Sequence, residues 1–349
     1  MAKRNISIDL LRTLCIIAVI FIHTTTNAMV KTYPSSDSKI LLGISIITSC
    51  AVPLFYMLSG AFSVNEKNSD YKTSLKKALK IIIQVVIWTL IYQLMFKYYF
   101  GQDVDIIKAG IKSLTSSQVT HLWFMYPLIG LYILLPFISR IYLNMTRKEK
   151  RLLIIILLII PITISTLNIK YSELFAIPYF AIGFPELGLF ILGKYLMEYK
   201  KDFTNKNGKI ASIIAIISGY ILIVLVMKYY IDNFGISDYK PYFDYNKIPN
   251  ILLISGIFIL FLNLEKPLMK LPTKIEKIIS YIGSNTLGVY FIHMIFLYLF
   301  PTIKIWNFYI TSNTGKITNM LLGVIFYFIT SIISVAILRK IPIIKKLVK

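Results

Sequence analysis

Charge is what this sequence has least of. Asp, Glu, Lys and Arg make up 15% of its 349 residues, against about 25% in soluble domains. Apolar residues make up 56% and the mean hydropathy is +0.70, more apolar surface than a soluble fold keeps from water. Disordered chains are poor in Ile, Leu and Phe, so disorder is excluded by the same figures. Acid is scarcer than base: 16 Asp and Glu face 38 Lys and Arg, for a net charge of +22. Cysteine is almost absent. Cys15 and Cys50 both fall inside apolar runs, which excludes a disulfide framework and a CxxC metal site, and no metal is expected. No small-residue cleavage pattern follows the first apolar run, so the stretch behind Lys3 and Arg4 reads as a retained helix rather than a signal peptide.

Long apolar runs are what the sequence has instead. A spanning helix needs about 20 mostly apolar residues. Ten stretches qualify: 8–28, 40–62, 80–100, 120–139, 152–168, 174–195, 210–229, 248–264, 279–300 and 318–338, the fifth and eighth being short. With the amino terminus inside, 26 of the 38 Lys and Arg fall in the inner segments, 11 in the outer ones, and Arg12 lies within a span. Such a bias in short loops sets the topology. The expectation is an all-α polytopic membrane bundle of about ten transmembrane helices with both termini cytoplasmic. The basic residues sit in clusters between apolar runs and form no stripe on a soluble fold, so nucleic acid is not expected as a partner. The positive charge is accounted for by topology and by attraction to anionic lipid headgroups of the bilayer. No loop between these runs exceeds about 20 residues, so residues 1–349 read as a single membrane domain without a separate soluble one.

An ionisable side chain within a span costs from about 2.5 kcal/mol upward, which makes each one a functional candidate. Five stand out: Arg12 and His23 in the first run, His121 opening the fourth, Glu186 in the sixth and His293 in the ninth. Arg12 and His23 are eleven residues apart. Eleven steps of 100° fall within about 20° of three full turns, so both project from one stripe, roughly 16 Å apart along the axis. Arg12 then lies near the inner headgroups and His23 in the outer half, followed by the polar run Thr24 to Asn27. Blander roles are open to each. Arg12 reads equally as a snorkelling anchor, His23 as an interhelical hydrogen bond, His121 as part of an aromatic belt, and His293 as a packing histidine. Glu186 follows Pro185, which is expected to kink its helix, and reads as a proton carrier or pore-lining group.

Arg12-x10-His23 at the head of the first span resembles the signature of the acyltransferase-3 family of integral membrane proteins. VPLFYMLSG (Val52–Gly60), HLWFMYPLIGLYILLPFI (His121–Ile138) and NTLGVYFIHMI (Asn285–Ile295) resemble further family stretches in the same order. The resemblance implies transfer of an acyl group, usually acetyl from acetyl-CoA as co-substrate, to a hydroxyl of a cell-surface glycan or lipid-linked sugar precursor. It implies a plasma-membrane enzyme with its donor at the cytoplasmic face and its acceptor at the outer one. His23 would be the general base and Arg12 would bind or orient acyl-CoA, with direct transfer and a transient acyl-histidine both open.

The family's second basic pair, usually Arg-x-x-Arg, is here Lys77-x-x-Lys80. Lys lacks the bidentate fork that Arg offers to phosphate. His121, His293 and Glu186 remain substrate or structural candidates. The chain stops a few residues past the tenth run, without the esterase-like or racemase-like domain of larger relatives. It is therefore expected to act alone or with a separately encoded cell-envelope enzyme. Two rival readings are a transporter of a small polar substrate such as serine, and a glycan-export or synthesis partner. The first is weakened by the absence of paired broken helices in the sequence pattern; under the second, the Arg12/His23 stripe would be dispensable.

Overall fold

The computed structural model of the chain describes residues 5–167, 185–236, 247–302, 317–342 and 344–348. In chain order the helices are α1 Ile6–Thr32, α2 Ser36–Thr48, α3 Ala51–Ser63, α4 Tyr71–Tyr98, α5 Ile106–Lys112, α6 Met125–Asn144, α7 Arg147–Ile154 and α8 Ile160–Leu167. They continue with α9 Pro185–Glu198, α10 Lys200–Phe203, α11 Lys206–Phe234, α12 Ile248–Asn263, α13 Glu265–Leu268, α14 Thr273–Gly283, α15 Thr286–Leu299 and α16 Ile317–Leu338. A π-helical turn, Ile155–Ile159, joins α7 to α8. Among the described residues there is no strand.

Seven of these helices or continuous helix runs are long and apolar enough to cross a membrane, or eight if the bent pair α14–α15 is one span. The architecture is therefore all-α and polytopic, as the apolar runs predict. The number ten differs for three reasons. Residues 174–184 of the expected sixth span lie outside the described residues. The expected eighth span is α12, only 16 residues long. The expected ninth, 279–300, is broken: α14 and the run after it meet at 70°. The break falls at Gly283-Ser284-Asn285, where Asn285 Nδ2 donates to the Tyr281 carbonyl and Asn285 Oδ1 accepts from Arg339 Nη1. On α14, Ile275, Ile278 and Tyr281 are exposed at helical spacing. An amphipathic helix set at an angle to its neighbour suits the membrane interface.

The helices form two compact units, Met1–Leu58 with Ile154–Lys349, and Ser59–Leu153. In the larger unit α1 packs against α2, α14, α15 and α16, and α11 packs along α12. Lipid offers no hydrophobic drive between helices, so close backbone approach through small residues holds them together. On α9, a Cβ at Gly193 would lie 2.0 Å from the Met57 carbonyl oxygen of α3.

Polar contacts gather at two ends of this unit. At one, Arg339 meets Asn285 and Lys200 Nζ pairs with Glu265 at 3.2 Å. At the other, the Ile317 N–H donates to Asp37 and Lys247 Nζ donates to the Ser165 carbonyl and hydroxyl. Arg339, Lys200 and Glu265 lie in segments that the Lys/Arg bias assigns to the inside, and Asp37, Lys247 and Ile317 lie in or beside segments assigned to the outside. The smaller unit sorts likewise. Arg140 donates to the Ser69 carbonyl and the Tyr71 hydroxyl and lies 4.4 Å over the Tyr71 ring, all in inner segments. Gln93 of the third run donates to the Gln118 carbonyl and Tyr126 of the fourth to that of Ser113, both carbonyls lying in an outer segment.

Two outcomes follow. Gly193→Leu drives a side chain into the α3 backbone and should cost on the order of 3 kcal/mol or more. Gly130→Ala, with nothing within 4 Å of its Cβ, should stay within about 1 kcal/mol of wild type; thermal unfolding of the purified proteins compares them. A membrane-impermeant thiol reagent applied to intact cells should label Gln102→Cys and spare Lys270→Cys, both positions being exposed. The reverse pattern would invert the topology.

Candidate functional site

α1 is the helix on which the sequence concentrates its intramembrane polar groups. Its start is fixed by Asn5, whose side-chain oxygen accepts from the Ser7 and Ile8 N–H groups at 3.0 and 3.3 Å. Such a cap satisfies amides the helix cannot pair itself. No Pro or Gly interrupts the 27 residues that follow. Arg12 and His23 therefore sit on one continuous helix, and the eleven-residue spacing keeps them on one stripe about 16 Å apart.

At the inner end, Arg12 is held from below. Its Nη1 lies 3.5 Å from Oδ1 of Asp9, one helical turn earlier, and Asp9 is 1% exposed against 27% for Arg12. The Asp9 carbonyl accepts from Thr13 Oγ1 at 2.8 Å. Against the same residue presses Gly283 of α14, where a Cβ would come within 2.7 Å of the Asp9 carbonyl oxygen. Any larger side chain at 283 would push α14 off the base of α1. Asp9 is missing from the candidates the sequence yields, because it lies at the edge of the first apolar run among the inner-segment acids. The signal was available: Asp9-x-x-Arg12 is an i,i+3 pair on a helix.

At the outer end, His23 meets His293 of α15, their ring centroids 5.4 Å apart and inclined by 42°. His293 is fully buried, and its Nδ1 lies 2.7 Å from the Tyr290 carbonyl oxygen one turn back. Asp9 beside Gly283 and His23 beside His293 show that α15 follows α1 in the same direction, as two odd-numbered spans must. Thr24, Thr25 and Thr26 continue the polar run after His23. Their hydroxyls donate to the Ile20, Phe21 and Ile22 carbonyls, satisfying their protons inside the helix.

The other candidates lie elsewhere. Glu186 is half-buried in the first turn of α9; the residues before Pro185, where a kink was expected, lie outside the described ones. In the smaller unit, Lys77 is half-buried and Lys80 exposed near the start of α4. His121 lies in a 3-10 turn, Thr120–Phe124, ahead of α6. It is buried, edge-on to Tyr92 at 5.0 Å, whereas Trp123 is 43% exposed. Trp123, not His121, has the position of a belt residue. Among the described residues no group of three or more His, Cys, Asp or Glu is arranged to hold a metal.

The family described as "Acyltransferase domain" matches residues 5–339, nearly the whole chain. No curated protein and no solved structure matches.

The Asp9–Arg12 pair should be measurable as a coupling. In a double-mutant cycle of Asp9→Asn and Arg12→Gln read by thermal unfolding, a coupling of about 1 kcal/mol is expected. Strict additivity would remove Asp9 as the residue that positions Arg12.

Proposed function

The chain belongs to the acyltransferase-3 family, a multi-pass membrane acyltransferase, and on that premise we propose what it transfers and how. It moves an acetyl or other short acyl group from cytoplasmic acyl-CoA to a hydroxyl of a cell-surface glycan or lipid-linked sugar precursor, within the plasma membrane. The observation that carries this reading is the uninterrupted α1 with Arg12 near one end and His23 about three turns above it.

Coenzyme A suits that layout because its phosphates and its thioester lie at opposite ends of a long flexible arm. Arg12, steadied by Asp9, supplies a planar guanidinium for a phosphate at the inner leaflet. Lys77 and Lys80, in the smaller unit, are taken by themselves as a basic pair at the end of α4 that the charge bias assigns to the inside. His23 takes the proton from the acceptor hydroxyl as its oxygen attacks the thioester carbonyl. The carbon–sulfur bond breaks, and the imidazolium returns that proton to the departing thiolate. The products are the ester and free coenzyme A. The apolar walls of the spans keep water from competing for the thioester. A carrier would be expected to pair two broken helices; among the described residues there is one bent pair, α14–α15.

The reading is tested in membranes carrying variants, with radiolabelled acetyl-CoA as the probe. His23→Ala should lower label transfer to the glycan or lipid-linked fraction by about 10²–10⁴-fold. Arg12→Ala should raise the KM for acetyl-CoA about tenfold or more and change kcat less. Wild-type transfer by His23→Ala would end the assignment.

A further inference from the structure

We infer that Arg339 is the second phosphate ligand of the donor site, recognising the 3′-phosphate of acyl-CoA while Arg12 takes the diphosphate. The inference rests on acyl-CoA being the donor, as proposed above.

Both guanidiniums are tied to one feature, the break between α14 and α15. Asp9, which holds Arg12, packs against Gly283, where a Cβ would lie 2.8 Å from the Asp9 Cβ. Two residues on, Asn285 Oδ1 accepts from Arg339 Nη1. Two residues of chain span at most about 7 Å, so the two holders stand side by side at the inner end of the larger unit. They also match in depth. Counted inward from the contact of the His23 and His293 rings, Arg12 is eleven residues down α1 and Asn285 eight residues down α15, about 16 and 12 Å at the helical rise.

An anchoring role alone would not place the Arg339 side chain here. Arg339 follows the last turn of α16, where a cation suits the helix dipole, and a snorkelling side chain there reaches for headgroups. Its guanidinium instead meets an amide that is 1% exposed. That amide is itself oriented. Asn285 Nδ2 donates to the Tyr281 carbonyl at 2.6 Å and to Ser284 Oγ at 3.3 Å, which leaves Oδ1 turned to Arg339. Lys340, Lys345 and Lys346 are exposed and add charge to this end without direction.

The charge of each partner decides what each arginine is suited to bind. Asp9 is a buried carboxylate and offsets the charge of Arg12. Asn285 is neutral, and among the described residues no carboxylate pairs with Arg339, so its charge is not offset. The bond to Asn285 engages one corner of a guanidinium that carries five N–H donors, and its planar fork matches a phosphate. In coenzyme A the 3′ group is a phosphate monoester, with about −1.5 to −2 charge at neutral pH, whereas each phosphorus of the diphosphate carries about −1. The more highly charged group goes to the cation without a counter-ion. With the diphosphate at Arg12, the flexible arm starts on the stripe that leads to His23. The 3′-phosphate stands one ribose away from the diphosphate and needs a second cation beside Arg12, at similar depth, which is where Asn285 holds Arg339.

The test compares acetyl-CoA with acetyl-dephospho-CoA, which lacks only the 3′-phosphate, both radiolabelled, in membranes carrying the full chain. The wild type should show a KM about tenfold or more lower for acetyl-CoA, with similar kcat. Arg339→Gln should bring the two KM values together, raising that for acetyl-CoA and leaving that for acetyl-dephospho-CoA within about twofold. Arg339→Lys keeps the charge, loses the fork and should retain part of the difference. Arg12→Gln should raise both KM values and keep their ratio. Equal KM values in the wild type, or a ratio in Arg339→Gln unchanged from wild type, would overturn the inference and leave Arg339 as an anchor of α16. Should Arg339→Gln fail to fold, Arg339→Lys decides: an undiminished wild-type ratio in that variant refutes the inference. None of these results touches the acyltransferase reading, which fails instead if wild-type membranes transfer label from neither donor or if His23→Ala stays active.

Discussion

The contact between the His23 and His293 rings fixes where α15 lies against α1, and the rest of the larger unit is arranged around it. Within a bilayer there is no water to satisfy an imidazole, so each ring must find its hydrogen bonds in protein. His293 takes one from its own helix through the Tyr290 carbonyl. It meets its neighbour only if α15 follows α1 closely over the outer half. At the inner end the same pairing of helices is enforced by a different device, the fit of Gly283 against Asp9. Two pins about 20 Å apart along α1 define how the α14–α15 segment lies on it. The 70° break between α14 and α15 is what allows an interfacial helix and a buried one to share those pins.

The chemistry proposed for the site follows from this mechanical arrangement. A stripe that places a guanidinium at the inner rim and an imidazole farther out separates charge recognition from proton transfer. On that proposal each step has the environment that favours it: the donor's phosphates at the headgroup level, where their charge is tolerated, and its thioester in a region poor in water. Asp9 adds order at the inner rim. By pairing with Arg12 it restricts a side chain that would otherwise have the whole interface to wander in, and less entropy is then lost when a phosphate binds.

Much of this was legible in the residues themselves. Arg12 and His23 could be assigned to one stripe because α1 lacks Gly and Pro, so the 3.6-residue period runs unbroken between them. The inner and outer loops could be sorted because Lys and Arg obey a strong rule in short loops, and the contacts of Arg339, Lys200 and Lys247 agree with it. The breaks were harder to see. An apolar run of 22 residues from 279 to 300 reads as one span when hydropathy alone is summed, although Gly283-Ser284-Asn285 is a turn signal near its start. His121 beside Trp123 looks like an interfacial pair, yet a 3-10 turn points the two apart, and one turn's geometry does not show in composition. Asp9 escaped notice because an acid near a span end is usually solvated; its burial depends on α14, which is 260 residues and more away in sequence and present at that point only in the fold.

The central claim is that acyl-CoA lies along α1 with its phosphates at Arg12 and its acyl end at the His23–His293 pair. A photoreactive acyl-CoA analogue with the reactive group on the acyl chain tests it directly, once it is cross-linked in native membranes and mapped by mass spectrometry. The account predicts adducts on α1 near residues 19–26 and on α15 near residues 289–296, suppressed by excess acetyl-CoA. Competable labelling confined to other helices, with none on α1 or α15, would contradict it.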